Sequence, residues 1–233
     1  MMLNHLPPDR LETLIFGLAA TALLLLVSTI VLWLHIRRLQ ARCDTERGLD
    51  LLTGLCNRVR FLELAERQIN HVQRTGRSAA ILLIDLDQCQ KINEQHGHQG
   101  GDLAMQLIAQ CALETVRDYD VVGRYSGGEV AMLLPDTSLE GAHAVARRLR
   151  EALELQQVAP PQGHPFSITI TVGISALRHE SDTLDDLLLA ADAALAEAKT
   201  QGSNRTASHL TWASRPASAL HNENAPATRG AFV

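Results

Sequence analysis

Apolar residues occur in one long run near the N-terminus and in shorter periodic runs over most of the remaining chain. Residues 14–36 are 23 consecutive positions without Asp, Glu, Lys or Arg. At about 1.5 Å of rise per residue, a helix of this length crosses a hydrocarbon core of about 30 Å. The run therefore predicts a transmembrane helix over 14–36. A cleaved signal peptide is disfavoured, because the leader carries Asp9 and Glu12 beside Arg10 and shows no small-residue cleavage site.

Basic residues flank this run unequally. Arg10 stands alone before it, whereas four arginines follow closely: Arg37, Arg38, Arg42 and Arg47. The positive-inside rule places the side with more arginines in the cytoplasm. We therefore predict a short extracytoplasmic N-terminus over 1–13 and a cytoplasmic C-terminal domain.

The segments on either side of the main domain differ in pattern. Residues 37–49 contain no proline and continue the helical period, which predicts a helical linker. Whether this linker pairs with a second copy as a short coiled coil or is a simple connector stays open. From Thr206 onward the chain is rich in Ala, Ser, Pro and Asn without periodicity, so 206–233 is predicted to be a disordered tail.

Between residues 50 and 205 the apolar pattern alternates between helical and strand periods. Helices are predicted over 59–74, 101–116, 139–155 and 184–200, and strands over 79–85, 120–124, the hairpin return to 134, and 166–174. Such alternation predicts an α/β (α+β) fold in which helices pack on one central sheet.

Charge and cysteine content narrow the function classes. The formal net charge of −5 argues against non-specific binding of nucleic acid. Four cysteines are scattered without C-x-x-C spacing, which favours reduced structural thiols over a metal or redox site.

Several motifs in the predicted domain carry a family resemblance. They are DLLTGLCNR at 50–58, DLDQCQKINE at 85–94, GHQGGD at 97–102, TVGI at 171–174 and ADAALAEAK at 191–199, with the hairpin SGGEV at 126–130. In order and spacing the chain resembles the GGDEF family, the diguanylate cyclases of bacterial cyclic di-GMP signalling. The resemblance implies a GGDEF domain over 50–205 and a nucleotide-cyclase-like mixed sheet. With the apolar run, it implies a single-pass protein of the bacterial inner membrane.

The resemblance also implies a set of site residues. In the family each domain holds one GTP, and two domains face each other so that each 3′-hydroxyl attacks the other's α-phosphorus. A homodimer, or a heterodimer with another GGDEF protein, is therefore expected. The implied Mg²⁺ ligands are Asp85, the backbone carbonyl of Leu86 and Glu129, the guanine contacts are Asn93 and Asp102, and the phosphate contact is Lys199.

One acidic position of the family is missing here. Aligning SGGEV on G-G-D-E-F without a gap puts Gly128 at the third position, where the family has a metal-binding and catalytic acid. A shift by one residue would place Glu129 there, but it needs an insertion and a deletion and turns the side chains of the return strand to the opposite face. In the ungapped register Glu129 is the remaining catalytic-type carboxylate, and the Mg²⁺ site is weakened. Gln90 and Ser203 also replace basic residues of the family.

A second family site is retained. Arg117 and Asp120 match the R-x-x-D inhibitory motif, which in the family binds a stacked cyclic di-GMP dimer. A guanidinium makes bidentate bonds to phosphate or to the guanine Hoogsteen edge, and a carboxylate accepts from the guanine N1 and N2 hydrogens. The alternative is an ordinary ion pair at a helix end. Three arginines of the following helix are candidates for a second basic contact: Arg147, Arg148 and Arg150.

Three hypotheses follow from these residues. The first is a membrane-anchored, catalytically impaired GGDEF protein that binds cyclic di-GMP through Arg117 and Asp120. The second is a diguanylate cyclase that makes cyclic di-GMP from two GTP, weakly or in a dimer. The third is an interaction module whose remnant site holds GTP only as a structural ligand.

Overall fold

The structure is a computed structural model that describes residues 25–30, 48–161, 163–178 and 182–210. The chain divides into two compact units, 1–47 and 48–233. In the first unit, residues 25–30 are helical and exposed. Among the described residues no helix combines the length and the apolar character that crossing a bilayer requires. The transmembrane helix predicted over 14–36 lies outside the described residues except for 25–30, and the predicted 1–13 segment lies entirely outside them.

The second unit alternates helices and strands. In chain order its elements are α1 (Arg58–Thr75), β1 (Ala79–Leu86), α2 (Cys89–Thr115), β2 (Val121–Arg124), β3 (Glu129–Pro135), α3 (Leu139–Glu154), β4 (Ile170–Ala176), α4 (Leu184–Thr200) and β5 (Thr206–Leu210). The strands form one sheet in the order β2-β3-β1-β4-β5. All neighbouring strands are antiparallel except β4 and β5, which are parallel. The predicted mixed sheet with flanking helices is therefore confirmed.

The central strand β1 separates two apolar layers. Leu82 and Ile84 face the layer that contains α2 and α3, whereas Ile81 and Leu83 face the layer that contains α1 and α4. Side chains alternate between the two faces of a strand, so an apolar run such as AAILLI is what a strand covered on both faces requires. Asp85 continues the alternation on the α4 face, at the end of the strand.

Short polar residues start three of the helices. The Asn57 side chain accepts from the Arg60 amide at the start of α1, and Ser138 accepts from the Gly141 amide at the start of α3. Thr183 forms a capping box with Asp186 at the start of α4. These bonds satisfy amides that have no partner within the helix, which is why the starts of these helices agree closely with the sequence pattern.

The largest difference from the predicted elements is α2. The helix was predicted over 101–116, but it begins at Cys89, with a break at Gly97, where φ is 70°. Its first turns carry the polar motif residues and lack apolar periodicity, so the pattern did not reveal them. The strand predicted over 166–174 begins instead at Ile170, and Phe166 pairs with Val158 in an isolated bridge.

The predicted boundaries of the domain also need correction. At the end of the predicted linker 37–49, Gly48 has φ 66° and Leu49 bridges Cys56, so these two residues are not helical. Residues 37–47 lie outside the described part. At the other end, residues 206–210 of the predicted tail form β5, because their backbone pairs with β4. The prediction of disorder for 211–233 concerns residues outside those described.

Candidate active site at the end of the central strand

Two carboxylate side chains lie side by side where β1 ends and β3 begins. Asp85 and Glu129 are directly paired residues in the antiparallel ladder between these strands. One position further along, the amide of Leu86 donates to the carbonyl of Gly128 at 3.1 Å. The hairpin turn between β2 and β3 is thereby attached to the end of β1. The structure brings together Asp85, Leu86, Gly128 and Glu129, which the sequence grouped only through the family resemblance.

Lys199 completes this cluster from helix α4. Its Nζ lies 3.1 Å from Asp85 Oδ2, and the two side chains are 43% and 22% exposed. Burial raises the pKa of Asp85, and the Glu129 charge adds to this rise, whereas the hydrogen bond and charge of Lys199 act in the opposite direction. The lysine expected to contact phosphates therefore neutralises the expected metal ligand.

The Glu129 carboxylate also has a partner. Ser126 Oγ donates to Glu129 Oε2 at 2.5 Å across the turn, and the Tyr125 amide donates to the Glu129 carbonyl at 2.9 Å. Ser126 does not adopt the left-handed conformation, so a serine here carries no backbone strain. The side chain that replaces a family glycine thus binds the remaining hairpin carboxylate.

Space is available at the position of the missing acid. A Cβ built on Gly128 would meet only Cys89 Sγ within 4 Å, at an ordinary distance of 3.7 Å, and Gly128 does not have a positive φ. A Cβ on the neighbouring Gly127 would meet nothing within 4 Å. The backbone therefore accepts a larger residue at position 128, and the lack of an acid is a property of the sequence alone.

The side chains at this site offer two carboxylates to a magnesium ion. Mg²⁺ requires near-octahedral oxygen ligation, usually with one or two protein carboxylates. Asp85 and Glu129 have suitable chemistry, but one is bound to an ammonium and the other to a hydroxyl, and Gly128 adds no donor. Among the described residues no group of three or more His, Cys, Asp and Glu side chains is arranged to hold a metal. With the backbone carbonyl of Leu86, the donor set is one carboxylate short of the set that the resemblance implies, and the weakened Mg²⁺ site stays a prediction.

The residues expected to contact guanine lie on α2, on the two sides of Gly97. Asn93 Nδ2 donates to Cys89 Sγ at 3.8 Å, and Asp102 is exposed. A Cβ on Gly101 would overlap the Asn93 amide oxygen, so a larger residue there would require the Asn93 side chain to move. Cys89 Sγ lies close to both the Asn93 side chain and position 128. The roles of Asn93 and Asp102 toward guanine stay predictions.

A buried carboxylate beside the cluster was missed by the sequence analysis. Asp87 is 7% exposed and accepts from Thr169 Oγ1 at 2.7 Å, from Thr171 Oγ1 at 2.6 Å and from the Asn204 amide at 2.8 Å. Asn204 in turn accepts from Arg150 Nε at 2.8 Å. Asp87 therefore ties the end of β1 to β4 and to the loop after α4. In the sequence, Asp87 is visible only as the second Asp of D-x-D, and the spacing of that motif does not indicate a role for it.

A second missed contact supports the hairpin from outside. Arg124 NH1 lies 3.1 Å from Asp50 Oδ2, and Arg124 NH2 donates to the Gly127 carbonyl at 2.8 Å. Burial favours a higher pKa for Asp50, but the hydrogen bonds from Thr53 and the nearby Arg124 outweigh it and hold that pKa below its usual value. The first residue of the domain motif at 50–58 thus holds the hairpin, a role that becomes visible only once the two segments are packed together.

The R-x-x-D residues form a turn immediately before β2. The Arg117 amide donates to Asp120 Oδ2 at 2.8 Å, and the Arg117 guanidinium donates to the Tyr119 hydroxyl at 2.6 Å. Asp120 Oδ1 is buried and has no hydrogen-bond partner. Burial raises the pKa of Asp120, while the Arg117 amide and the Arg117 and Arg148 charges oppose this rise. The turn is thus closed by the bond between the Arg117 amide and the Asp120 carboxylate, and the Arg117 guanidinium contacts Tyr119.

The arginines of α3 differ in position. Arg148 lies close enough to Asp120 to influence its pKa and donates to the Thr115 carbonyl at 3.2 Å. Arg150 instead contacts Asn204, and Arg147 pairs with Glu151 at 4.0 Å. Of the three candidates for a second basic contact, the structure brings only Arg148 to the R-x-x-D turn.

Comparison with known proteins gives the same family as the motifs. Residues 48–205 match the family described as diguanylate cyclase, GGDEF domain. Diguanylate cyclase DosC of Escherichia coli (strain K12) is 34% identical over 161 residues, which are 69% of this chain but only 35% of DosC. The chain thus spans about a third of the length of this curated relative.

Solved structures share the fold. Diguanylate cyclase SiaD from Pseudomonas aeruginosa, solved with its activator SiaC, has a TM-score of 0.66 at 28% identity, over 86% of this chain and 78% of SiaD. The GGDEF domain of DgcB from Caulobacter crescentus, solved with c-di-GMP, has a TM-score of 0.67 over 70% of this chain and 93% of that domain, and at 24% identity it shows the fold alone. The family match covers all described elements of the second unit except β5, and the chain belongs to the GGDEF diguanylate cyclase domain family.

Proposed function

We propose that this chain is a membrane-anchored cyclic di-GMP signalling protein whose GGDEF domain is catalytically impaired and binds cyclic di-GMP at the turn of Arg117 and Asp120. The proposal rests on the residues at positions 85, 128 and 129, where the family has acidic side chains. Gly128 supplies no carboxylate, Asp85 is bound to Lys199, and Glu129 is bound to Ser126. The relatives named as diguanylate cyclases support a role in the same signalling system.

The expected loss of catalysis follows from the chemistry of the missing acid. Activation of the attacking 3′-hydroxyl by a general base is typically worth about 10²–10⁴ in rate. A metal that bridges the phosphates contributes several kcal/mol more to the stabilisation of the transition state. A domain that lacks the acid loses part of both contributions, so turnover well below that of an intact relative is expected.

The proposed cyclic di-GMP site has groups that can form hydrogen bonds with the ligand, and a groove lies beside them. Arg117 is exposed and offers a planar set of donors, and the Asp120 carboxylate, whose Oδ1 is buried without a partner, lies at the end of the same turn. A groove of about 470 Å³ adjoins them, and its apolar walls include Leu113, Val116 and Tyr119. An apolar wall beside a few polar groups suits a purine ring that carries hydrogen-bonding edges. Binding would require the Arg117 head to leave or share its contact with Tyr119.

The synthetic activity is tested with the full chain in detergent, supplied with GTP and Mg²⁺, by mass spectrometry of the nucleotides. No appreciable cyclic di-GMP is expected from the unaltered chain. Gly128→Asp should create or raise synthesis, because the acid fits where only Cys89 Sγ lies nearby. Gly127→Asp is the matched control, since it adds the same charge one residue away in equally open space.

Two outcomes would contradict this half of the proposal. Robust synthesis by the unaltered chain would favour the second hypothesis, a cyclase that acts through Asp85 and Glu129. Equal synthesis by the two aspartate variants would show that position 128 is not where the acid acts.

Saturable binding of cyclic di-GMP, measured by calorimetry, tests the proposed receptor function. Whether the chain acts as a homodimer or with another GGDEF protein is proposed on the family's mechanism alone.

A further inference from the structure

One of the two side chains between Arg117 and Asp120 contacts the arginine and also lines the adjoining groove. The Tyr119 hydroxyl accepts from Arg117 NH1 at 2.6 Å, and the residue is 48% exposed on the wall of the groove of about 470 Å³. We propose, on the basis of the proposed function, that Tyr119 contacts the ligand in the cyclic di-GMP site. A guanine base stacks on its ring, and its hydroxyl holds the Arg117 guanidinium until the ligand replaces it.

The ring of Tyr119 is suited to stacking. The guanidinium carbon of Arg117 lies 5.8 Å from the ring centroid, close to the outer limit of about 6 Å for a cation–π contact. The cation is therefore bound at the hydroxyl end and does not lie flat on the ring. Leu113 and Val116 line the same groove, so a base on the ring would also meet apolar side chains. A groove of this volume falls within the range of about 300–1,000 Å³ that small-molecule ligands use.

The hydroxyl of Tyr119 acts on Arg117. Its hydrogen bond engages one terminal nitrogen of the guanidinium, and a bidentate bond to phosphate or guanine that uses this nitrogen competes with the phenol. The backbone of the turn is fixed separately, because the Arg117 amide donates to Asp120 Oδ2 at 2.8 Å. Ligand binding would thus move one side chain on a turn that is already formed, which keeps the ordering cost low.

Two substitutions separate the hydroxyl from the ring. Tyr119→Phe keeps the ring, and cyclic di-GMP should bind about two- to tenfold more tightly, since Arg117 no longer gives up an internal hydrogen bond. Tyr119→Leu removes the ring as well, and binding should be at least about fivefold weaker than in Tyr119→Phe, the low end of what stacking of one base contributes. Calorimetry on the full chain in detergent measures these affinities. Tyr125→Phe is the matched control for the hydroxyl, because the Tyr125 ring contacts Arg58 and Phe61 at the hairpin.

A second readout needs no variant at position 119. The chain contains two tyrosines, Tyr119 and Tyr125. Replacement of tyrosine by 3-fluorotyrosine therefore gives two ¹⁹F signals, which Tyr125→Phe assigns. In the otherwise unaltered chain the Tyr119 signal should shift with added cyclic di-GMP, because a stacked base and the lost hydrogen bond both change the surroundings of the ring. The Tyr125 signal should stay in place.

The outcomes separate the role of Tyr119 from the proposed function. Equal affinities of the unaltered chain and Tyr119→Phe would refute the hold on Arg117, and equal affinities of Tyr119→Phe and Tyr119→Leu would refute the stacking. Either result leaves the receptor function intact as long as Arg117→Ala abolishes binding. No binding by the unaltered chain or by Tyr119→Phe would overturn both. If circular dichroism shows that a Tyr119 variant is unfolded, the ¹⁹F signal decides alone: a saturable shift supports the role of Tyr119, and an unmoved signal at saturating ligand overturns it.

Discussion

In the fold, the backbone amide and the guanidinium of Arg117 have different hydrogen-bond partners. The alternative interpretation of the motif was an ordinary ion pair at a helix end, but the guanidinium contacts the Tyr119 hydroxyl and the backbone amide contacts the Asp120 carboxylate. The Arg117 head therefore lies at the surface, with donors available to a ligand, while Asp120 is fixed by the turn. The two residues of the motif thus have different structural roles.

Arg117→Ala should abolish the binding of cyclic di-GMP while the fold survives, because the side chain is exposed and its removal leaves the turn bond of the Arg117 amide intact. Calorimetry on the full chain measures the affinity, and a loss of at least about tenfold is expected for a charge-assisted contact. Arg147→Ala is the control, since Arg147 is a solvent-exposed arginine that pairs only loosely with Glu151. Equal affinity in the two variants would refute the assignment.

The same site should respond to pH through Asp120. Burial raises the pKa of this carboxyl above its ordinary value of 3.8, and the ionised form is the one that accepts from guanine. Binding should therefore persist above the raised pKa and weaken as the pH falls through it. Arg148→Ala removes a charge that lowers this pKa, so the midpoint should move to higher pH, whereas Arg147→Ala should leave it in place. A midpoint unmoved by Arg148→Ala would contradict the role of Asp120.

At the scale of elements, the hairpin of β2 and β3 is held from three sides. The amide of Leu86 bonds to Gly128, the Cys56 backbone bridges β2, and Arg124 links Asp50 to the Gly127 carbonyl. A short two-stranded hairpin is marginal by itself, and these contacts give the turn a defined position against β1. The position of Glu129 beside Asp85 is thus a property of the packed elements.

Arg124→Ala should loosen this hairpin. It leaves the part-buried Asp50 without its cation and the Gly127 carbonyl without a donor, which should lower the local opening free energy by about 1–3 kcal/mol. Hydrogen exchange at the amides of Tyr125 and Glu129 measures the change in the full chain. Arg60→Ala is the control, because its pair with Glu63 is exposed and should be worth less than about 1 kcal/mol. Equal exchange in both variants would show that the Asp50 contact does not hold the turn.

At the scale of the whole molecule, the N-terminal run is expected to anchor the chain in a membrane. The full chain should stay in the membrane pellet after carbonate extraction. Leu25→Arg with Leu26→Arg should release it, since each arginine near the centre of a span costs about 2.5–3.5 kcal/mol on insertion scales. The control is Leu155→Arg, which makes the same change at an 88% exposed position of the domain. Release of the unaltered chain would refute the predicted span.

The sequence by itself predicted the features of this molecule that depend on residues close together in the chain. Apolar periods predicted α1, α3 and α4 nearly to the residue, since burial of one helix face depends on neighbouring positions in the chain. The absence of an acid at position 128 is likewise a fact of sequence, and the motifs around it were sufficient to predict the family.

Tertiary structure decided what depends on segments far apart in the chain. Residues 206–210 lack a strand period, and they form β5 only because β4 offers an edge to pair with. The contacts of Lys199 with Asp85, of Asn204 with Asp87 and of Arg124 with Asp50 have no signature in spacing, because each joins side chains that only the packed sheet brings within hydrogen-bond distance. Sequence therefore determined which charges the site contains, and the fold decided which of them neutralise one another.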